Sequence, residues 1–282
     1  MADADLKRFI AKIEDLPTLP RTVLQITEFI NDPRASAKDL TRLITDDQVL
    51  TARLLKLVNS SFYGFQQRIS TVTDAVLMVG FDAIRSLLLT TSVFDLFPSR
   101  SARSRRDQEM LWDHSLACAV GAKVIGGAVR REKLEELFVA GLLHDIGKIV
   151  EMTLRPNDFA RVAERVRDGR LPICAAEMEV LGCTHADIGR LLAERWNLPV
   201  KLVNIIAWHH TPAAGGAFAV ESSIVHLADI LARALQLGSG GDPMVPPVDH
   251  AAWDLLKLKP ASLDDIMAAM LAEFDDISSF LR

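Results

Sequence analysis

Residues 142–148 read LLHDIGK, with a histidine and an aspartate side by side directly behind an apolar run. Upstream lies LEELFVAGL, in which Leu134, Leu137, Phe138, Gly141, Leu142 and Asp145 fall at helical spacing on one face. That face is expected to be buried. Burying a carboxylate is costly unless something pairs with it, so Asp145 requires a cation, a donor network or a metal.

The same period near 3.6 runs through nearly every long segment, and no convincing series of alternating strands accompanies it. The chain therefore reads as all-α. Helices are expected at about 19–31, 36–45, 47–59, 71–79 and 80–97, with stops at Asp32-Pro33, Asn59-Ser60-Ser61 and Pro98. Ser36 with Asp39, and Thr71 with Asp74, have the spacing of capping boxes with Asp in place of Glu. The polar run SRSARSRRDQ at 99–108 carries Arg100, Arg103, Arg105 and Arg106, and reads as a solvated linker and domain boundary rather than a phosphate grip. A second helical block follows from Gln108 to about Leu237, where GSGGDPMVPP at 238–247 breaks the chain. Beyond the break, Ser262 can cap a helix with Leu263, Ile266, Met267, Met270, Leu271, Phe274 and Leu281 along one face, suited to docking on the body. The expected organisation is an N-terminal bundle over 1–98, a second helical domain over 104–237 and a C-terminal helical extension over 248–282.

Composition bounds the function. With 282 residues, 49% of them hydrophobic, the chain can bury one large core or two modest ones. Its 32 basic against 37 acidic residues argue against a duplex nucleic-acid binder, which must neutralise many phosphates. Cys118, Cys174 and Cys183 are odd in number and form no CxxC pair, which suits a reducing cytoplasm. The acidic N-terminus is unlike a secretory signal, and no uninterrupted run of roughly 18 apolar residues predicts a membrane span.

Six of the seven histidines lie in the second block: His114, His144, His185, His209, His210 and His226. His114 sits in LWDHSLACAV with Leu111, Cys118 and Ala122 on its face, and His185 follows the candidate caps Cys183 and Thr184. His209 and His210 end VKLVNIIAWHH, and Asp229 lies mid-helix in SSIVHLADILARAL. Five helices thus each bring a His or Asp to a mostly apolar surface, which a metal satisfies economically. Imidazole and carboxylate without thiolate favour iron, manganese, zinc or another borderline first-row ion. One carboxylate flanked by several imidazoles can bridge two ions, and such pairs serve in-line attack on phosphorus.

The HD pair and its surroundings resemble the HD superfamily of metal-dependent phosphohydrolases. His114, His144-Asp145, His185, His209-His210 and Asp229 follow the ligand order of the HD-GYP branch of cyclic-dinucleotide phosphodiesterases. That resemblance implies two divalent ions bridged by Asp145, the first also held by His114, His144 and Asp229, the second by His185, His209 and His210. It also implies that Lys148 contacts substrate phosphate. LPTLPRTVLQI at 16–26, DDQVLTARLLKLVNSSFYG at 46–64 and ISTVTDAVLMVGFDAIRSLLL at 69–89 resemble a different branch, the HDOD family of bacterial signal-transduction modules. Its members often lack the metal set and are thought to act as non-catalytic scaffolds, whereas every ligand position is kept here. The paired histidines lead into HHTPAAGGAF, without the acidic residue and Gly-Tyr-Pro of the HD-GYP branch. Two functions are therefore expected to compete: a metal-dependent phosphohydrolase or phosphodiesterase with Asp145 and Lys148 at its centre, and a signalling module that engages a protein partner or nucleotide without turnover. No GxSxG elbow, phosphate loop or dinucleotide fingerprint is present.

Overall fold

The computed structural model describes residues 36–45, 47–59, 65, 67–80, 84, 96–98 and 102–281. The helix expected at 19–31, most of that at 80–97, Ser60 to Gly64 of NSSFYG, and Arg100 lie outside these residues. Every regular element among the described residues is helical.

Among the described residues three short helices come first: α1 (Ala37–Thr45), α2 (Gln48–Val58) and α3 (Val72–Val79). Thr71 caps α3, its hydroxyl accepting from the Asp74 N–H at 3.0 Å and donating to Asp74 Oδ2 at 2.6 Å. Asn59 ends α2 and ties it to the chain ahead of α3. Its amide donates to the Leu55 and Ile69 carbonyls, each at 2.7 Å, and its Oδ1 accepts from the Ile69 N–H at 2.7 Å.

The long helix α4 (Ala102–Ala128) carries the second block. It starts inside the arginine run that was expected to be a linker, so Arg103, Arg105 and Arg106 form its exposed or half-exposed first turns. Arg, Gln and Glu are strong helix formers, and here that propensity outweighs the charge repulsion that makes such runs read as coil. Helix α5 (Leu134–Leu143) crosses α4 backbone to backbone, since a Cβ on Gly141 would lie 2.6 Å from the Cys118 carbonyl oxygen. The chain then turns at His144-Asp145 into α6 (Ile146–Leu154). Asp145 is thus the N-cap of α6, with φ −99° and ψ 15°, rather than the last residue on the α5 stripe.

Next come α7 (Pro156–Gly169), α8 (Ile173–Leu181), α9 (His185–Arg195) and α10 (Val200–Trp208), then a 3-10 turn over Pro212–Phe218 and α11 (Ala219–Ala234). Thr184 starts α9 with a complete capping box, its side chain bonded to the Asp187 N–H and Asp187 to the Thr184 N–H. Pro212–Ala234 is long and apolar enough by composition to cross a membrane, but 67% of its most apolar window is buried between neighbouring helices. This is the central core helix.

The breaker at 238–247 is not a free spacer. It lies across α4: the Ser239 N–H donates to the Met110 carbonyl at 2.9 Å, and a Cβ on Gly238 would overlap the backbone nitrogen of His114. Gly238 also has φ +71°, a conformation that only glycine adopts without strain. After α12 (His250–Leu256), helix α13 (Leu263–Leu281) docks along α4 through Ile266, Met270, Phe274 and Ile277, all buried, which is the body-docking role expected of its apolar stripe. Leu271 points outward, and Ser262 does not cap: its hydroxyl donates to the Lys259 carbonyl at 2.7 Å within a 3-10 turn.

Candidate metal centre

The fold brings all eight residues singled out in the sequence to one place between α4, α5, α6, α9, α10 and α11. His114, His144, Lys148, His185 and His209 have no exposure, Asp145 and Asp229 have 1%, and only His210 is partly open. Asp145 stands at the middle and faces two ways. Its Oδ2 is 3.3 Å from His144 Nε2 and 3.6 Å from His114 Nε2, while Asp229 Oδ1 lies 3.1 Å from that same His114 nitrogen. Its Oδ1 is 3.1 Å from His185 Nε2 and 3.7 Å from His209 Nε2. His210 Nε2 closes the second group at 2.9 Å from His185 Nε2.

The orientation of the imidazoles is set from behind. His144 Nδ1 donates to the Gly141 carbonyl at 2.6 Å and His209 Nδ1 to the Ile206 carbonyl at 2.9 Å, both one turn back in the chain. His185 Nδ1 meets Glu177 Oε1 and Oε2 at 2.9 and 2.8 Å. With each Nδ1 hydrogen so committed, three Nε2 lone pairs point at one another and at a carboxylate. His185 and His209 Nε2 are 3.4 Å apart, and His144 Nε2 and Asp145 Oδ1 have no hydrogen-bond partner. Lone pairs converging on an anion in a buried space repel unless a cation lies among them, so the donor set fits divalent metal. Two groups that could hold an ion meet at Asp145: His114, Cys118, His144 and Asp229, and Asp145, His185, His209 and His210; a third, Cys174, Glu177 and His185, lies behind the second and shares its His185.

Protonation states agree with that chemistry. Burial would push the Asp145 carboxyl up, but His144, Lys148 and His185 more than reverse this and hold it well below the usual range. Burial likewise opposes ionisation of Asp229, and Arg233 and His114 reverse it. Burial drives His209 and His210 well below their ordinary values, helped by neighbouring imidazoles, so both are neutral. His185 is the exception: burial lowers it, yet the Glu177 charge carries it above 6.5.

Lys148 is buried against Asp145, its Nζ 2.5 Å from Oδ2. The residue that the resemblance places on substrate phosphate is here paired with Asp145. Two further residues that sequence spacing did not mark belong to the centre. Glu177 of α8 holds His185, accepting from its backbone N–H at 2.9 Å as well. Arg233 donates to Asp229 Oδ1 at 2.8 Å and pairs with Asp242 of the breaker at 3.2 Å. His226 is no ligand: Nδ1 donates to the His209 carbonyl at 2.9 Å while Nε2 accepts from the Asp249 N–H at 3.1 Å.

Comparison with known proteins agrees with the architecture. The HDOD domain family matches residues 16–212. A curated protein of Treponema pallidum (strain Nichols) is 30% identical over 227 residues, covering 79% of this chain and 43% of that one. The chain thus spans less than half the length of this relative. Among solved structures, an HDOD domain protein of Geobacter sulfurreducens superposes with a TM-score of 0.80 at 30% identity over 96% of each chain. A protein of Shewanella amazonensis SB2B named as a candidate phosphohydrolase superposes with a TM-score of 0.77 at 23% identity, over 97% of this chain and 98% of that one. A candidate signal transduction protein of Marinobacter aquaeolei VT8 does so at 0.77 and 23%, over 99% of this chain and 63% of that one. At 23% these two share the fold.

Proposed function

The chain belongs to the HDOD family, and we propose that it is a metal-binding signalling module whose buried cluster takes two divalent first-row ions, iron or manganese before others. The observation that carries this reading is the convergence of the His144, His185 and His209 Nε2 lone pairs on Asp145 after their Nδ1 hydrogens have been given to Gly141, Glu177 and Ile206. His114, His144 and Asp229 would hold one ion, His185, His209 and His210 the other, with Asp145 between them. Ligands drawn from separate helices would make the second block dependent on metal for its rigidity. A signalling role is supported by closure of the site, since every ligand except His210 is buried, and by the HHTPAAGGAF turn, which offers no acidic or tyrosine side chain to a nucleotide. The occupant of such a module's surface is proposed to be a protein partner.

A second reading, metal-dependent phosphohydrolysis, is favoured by the two-sided exposure of Asp145 to imidazoles and by the opening at His210. Bound ions supply Lewis acidity for attack on phosphorus. Within the chain, the apolar helices exclude bulk water, His210 forms the edge that a phosphate group would reach, and Lys148 holds a positive charge beside Asp145.

Metal analysis of protein purified without chelator or a His-rich tag tests the first reading. About two ions per chain and a melting temperature lowered by chelator are expected. Metal near zero, with melting indifferent to chelator, would leave an ordinary polar core. Manganese- and iron-loaded protein assayed anaerobically on cyclic dinucleotides and simple phosphodiesters tests the second. Saturable turnover abolished in His144→Ala would make the protein an enzyme.

A further inference from the structure

Resting on that metal reading, we infer that the two halves of the centre are unequal: the side of His185, His209 and His210 takes an ion first and tightly, the side of His114, His144 and Asp229 second and weakly, with Glu177 as the positioning residue of the tight side. The two halves look alike in donor count but differ in what stands behind the donors.

On the His185 side, a carboxylate does the orienting. Glu177 is fully buried and grips His185 at three points, the backbone N–H at 2.9 Å and Nδ1 at 2.8 and 2.9 Å. An anion behind an imidazole fixes the ring and raises the basicity of the opposite nitrogen, which a neutral carbonyl does less. The Asp145 oxygen on this side, Oδ1, has no other hydrogen bond competing for its charge.

Across the cluster the arrangement is the reverse. Asp145 Oδ2 already takes the Lys148 ammonium at 2.5 Å. The other carboxylate, Asp229, shares the oxygen nearest His114 with the Arg233 guanidinium, at 3.1 and 2.8 Å respectively. His114 Nδ1 has no acceptor behind it to hold the ring. Two buried cations therefore touch the two carboxylates of this half, one of them, Arg233, sharing its charge with Asp242, whereas the His185 half has an additional anion at its back. A divalent ion feels each of these charges twice over, and burial leaves them poorly screened.

The test is titration of chelator-treated full-length chain with manganese(II), counting free ion by electron paramagnetic resonance. Wild type should show two classes of site, one ion each, separated by at least about tenfold in affinity. His185→Ala should abolish the tight class and keep the weak one, and His114→Ala the opposite. Glu177→Gln, which keeps the volume and an acceptor for the backbone N–H, should weaken the tight class roughly 10- to 100-fold while the weak class stays. Matching circular dichroism and melting of the chelated Glu177→Gln and wild-type proteins separates positioning from folding; if that variant does not fold, the two histidine variants decide. Two equivalent ions in wild type, loss of the tight class in His114→Ala alone, or an unchanged affinity in folded Glu177→Gln would each overturn the inference and leave the metal reading intact. No uptake by wild type would remove both.

Discussion

Gly147 packs directly on the backbone of His185. A Cβ added to Gly147 would lie 2.8 Å from the His185 carbonyl carbon and 2.9 Å from the Gly189 nitrogen, both parts of the α9 backbone that cannot swing aside. The glycine of HDIGK thus sets the distance between α6 and α9, and through it the reach of His185 toward Asp145. Gly147→Ala is expected to force the helices apart, costing about 1–3 kcal/mol in urea unfolding, and to lower bound metal along with stability. A variant as stable and as metal-rich as wild type would show that the contact can relax.

Asp145→Asn should lose both ions together. The carboxylate serves both halves, Oδ2 toward His144 and Oδ1 toward His185, and an amide offers one poor acceptor in place of two charged oxygens. Elemental analysis of the purified variant should find metal near zero, and one retained ion would show that Asp145 serves a single half.

Glu151 gives the chelated protein a pH dependence of stability. Both its carboxylate oxygens are buried without a partner, and burial, then the Glu177 charge, push its pKa well above 4.5. The folded state therefore keeps a proton that the unfolded chain releases near that value. Stability falls as pH rises above about 4.5, by at most about 1.4 kcal/mol per unit, until the folded group itself ionises. Glu151→Gln should remove this slope, so its gain over wild type in urea unfolding should be small at pH 5 and larger at pH 8. Parallel pH profiles would count against the assignment.

The cysteines should be inert in the native protein. Cys118 and Cys183 are buried, Cys174 is half-buried, and all three are free. Burial, with Glu151 nearby, pushes the Cys183 thiol up to about 12, and burial raises the other two as well. Iodoacetamide at pH 8 should label none of them until denaturant is added, since only thiolate attacks. Labelling at native-state rates typical of exposed thiols would contradict the packing.

Much of the centre was legible from the chain alone because its ligands sit in helices, where a polar residue on an apolar stripe announces that it is buried. His114, Asp145, His185 and Asp229 were found in that way, His144 as the neighbour of Asp145, and the pair at 209–210 by its position at a helix end. The residues behind the ligands carry no such mark. Glu177 lies in a helix whose other glutamate, Glu179, is exposed, and nothing in ICAAEMEVL distinguishes the two. Arg233 stands one turn after Asp229 on the same helix, but it resembles any helix-terminal arginine until the fold delivers Asp242 to it. The arginine run at the start of α4 misled for a related reason: local charge density reads as coil, but helix propensity acts over the whole segment. Ser262 has the residue type of a cap, but its hydroxyl donates to the Lys259 carbonyl instead of accepting from the first turn of α13.

The segment at 238–247 behaves as a strap of fixed length. Gly238 is seated on α4 at His114, and Asp242, four residues on, holds Arg233 while accepting the Ile173 N–H at 2.9 Å. A flexible tether tolerates added residues because loop closure grows costlier only slowly with length. Only three residues separate these two anchors, so lengthening the strap is expected to disturb either the floor under His114 or the guanidinium behind Asp229. A stretch whose Gly and Pro content resembles a disposable spacer is in this molecule one of the parts that gauges the centre.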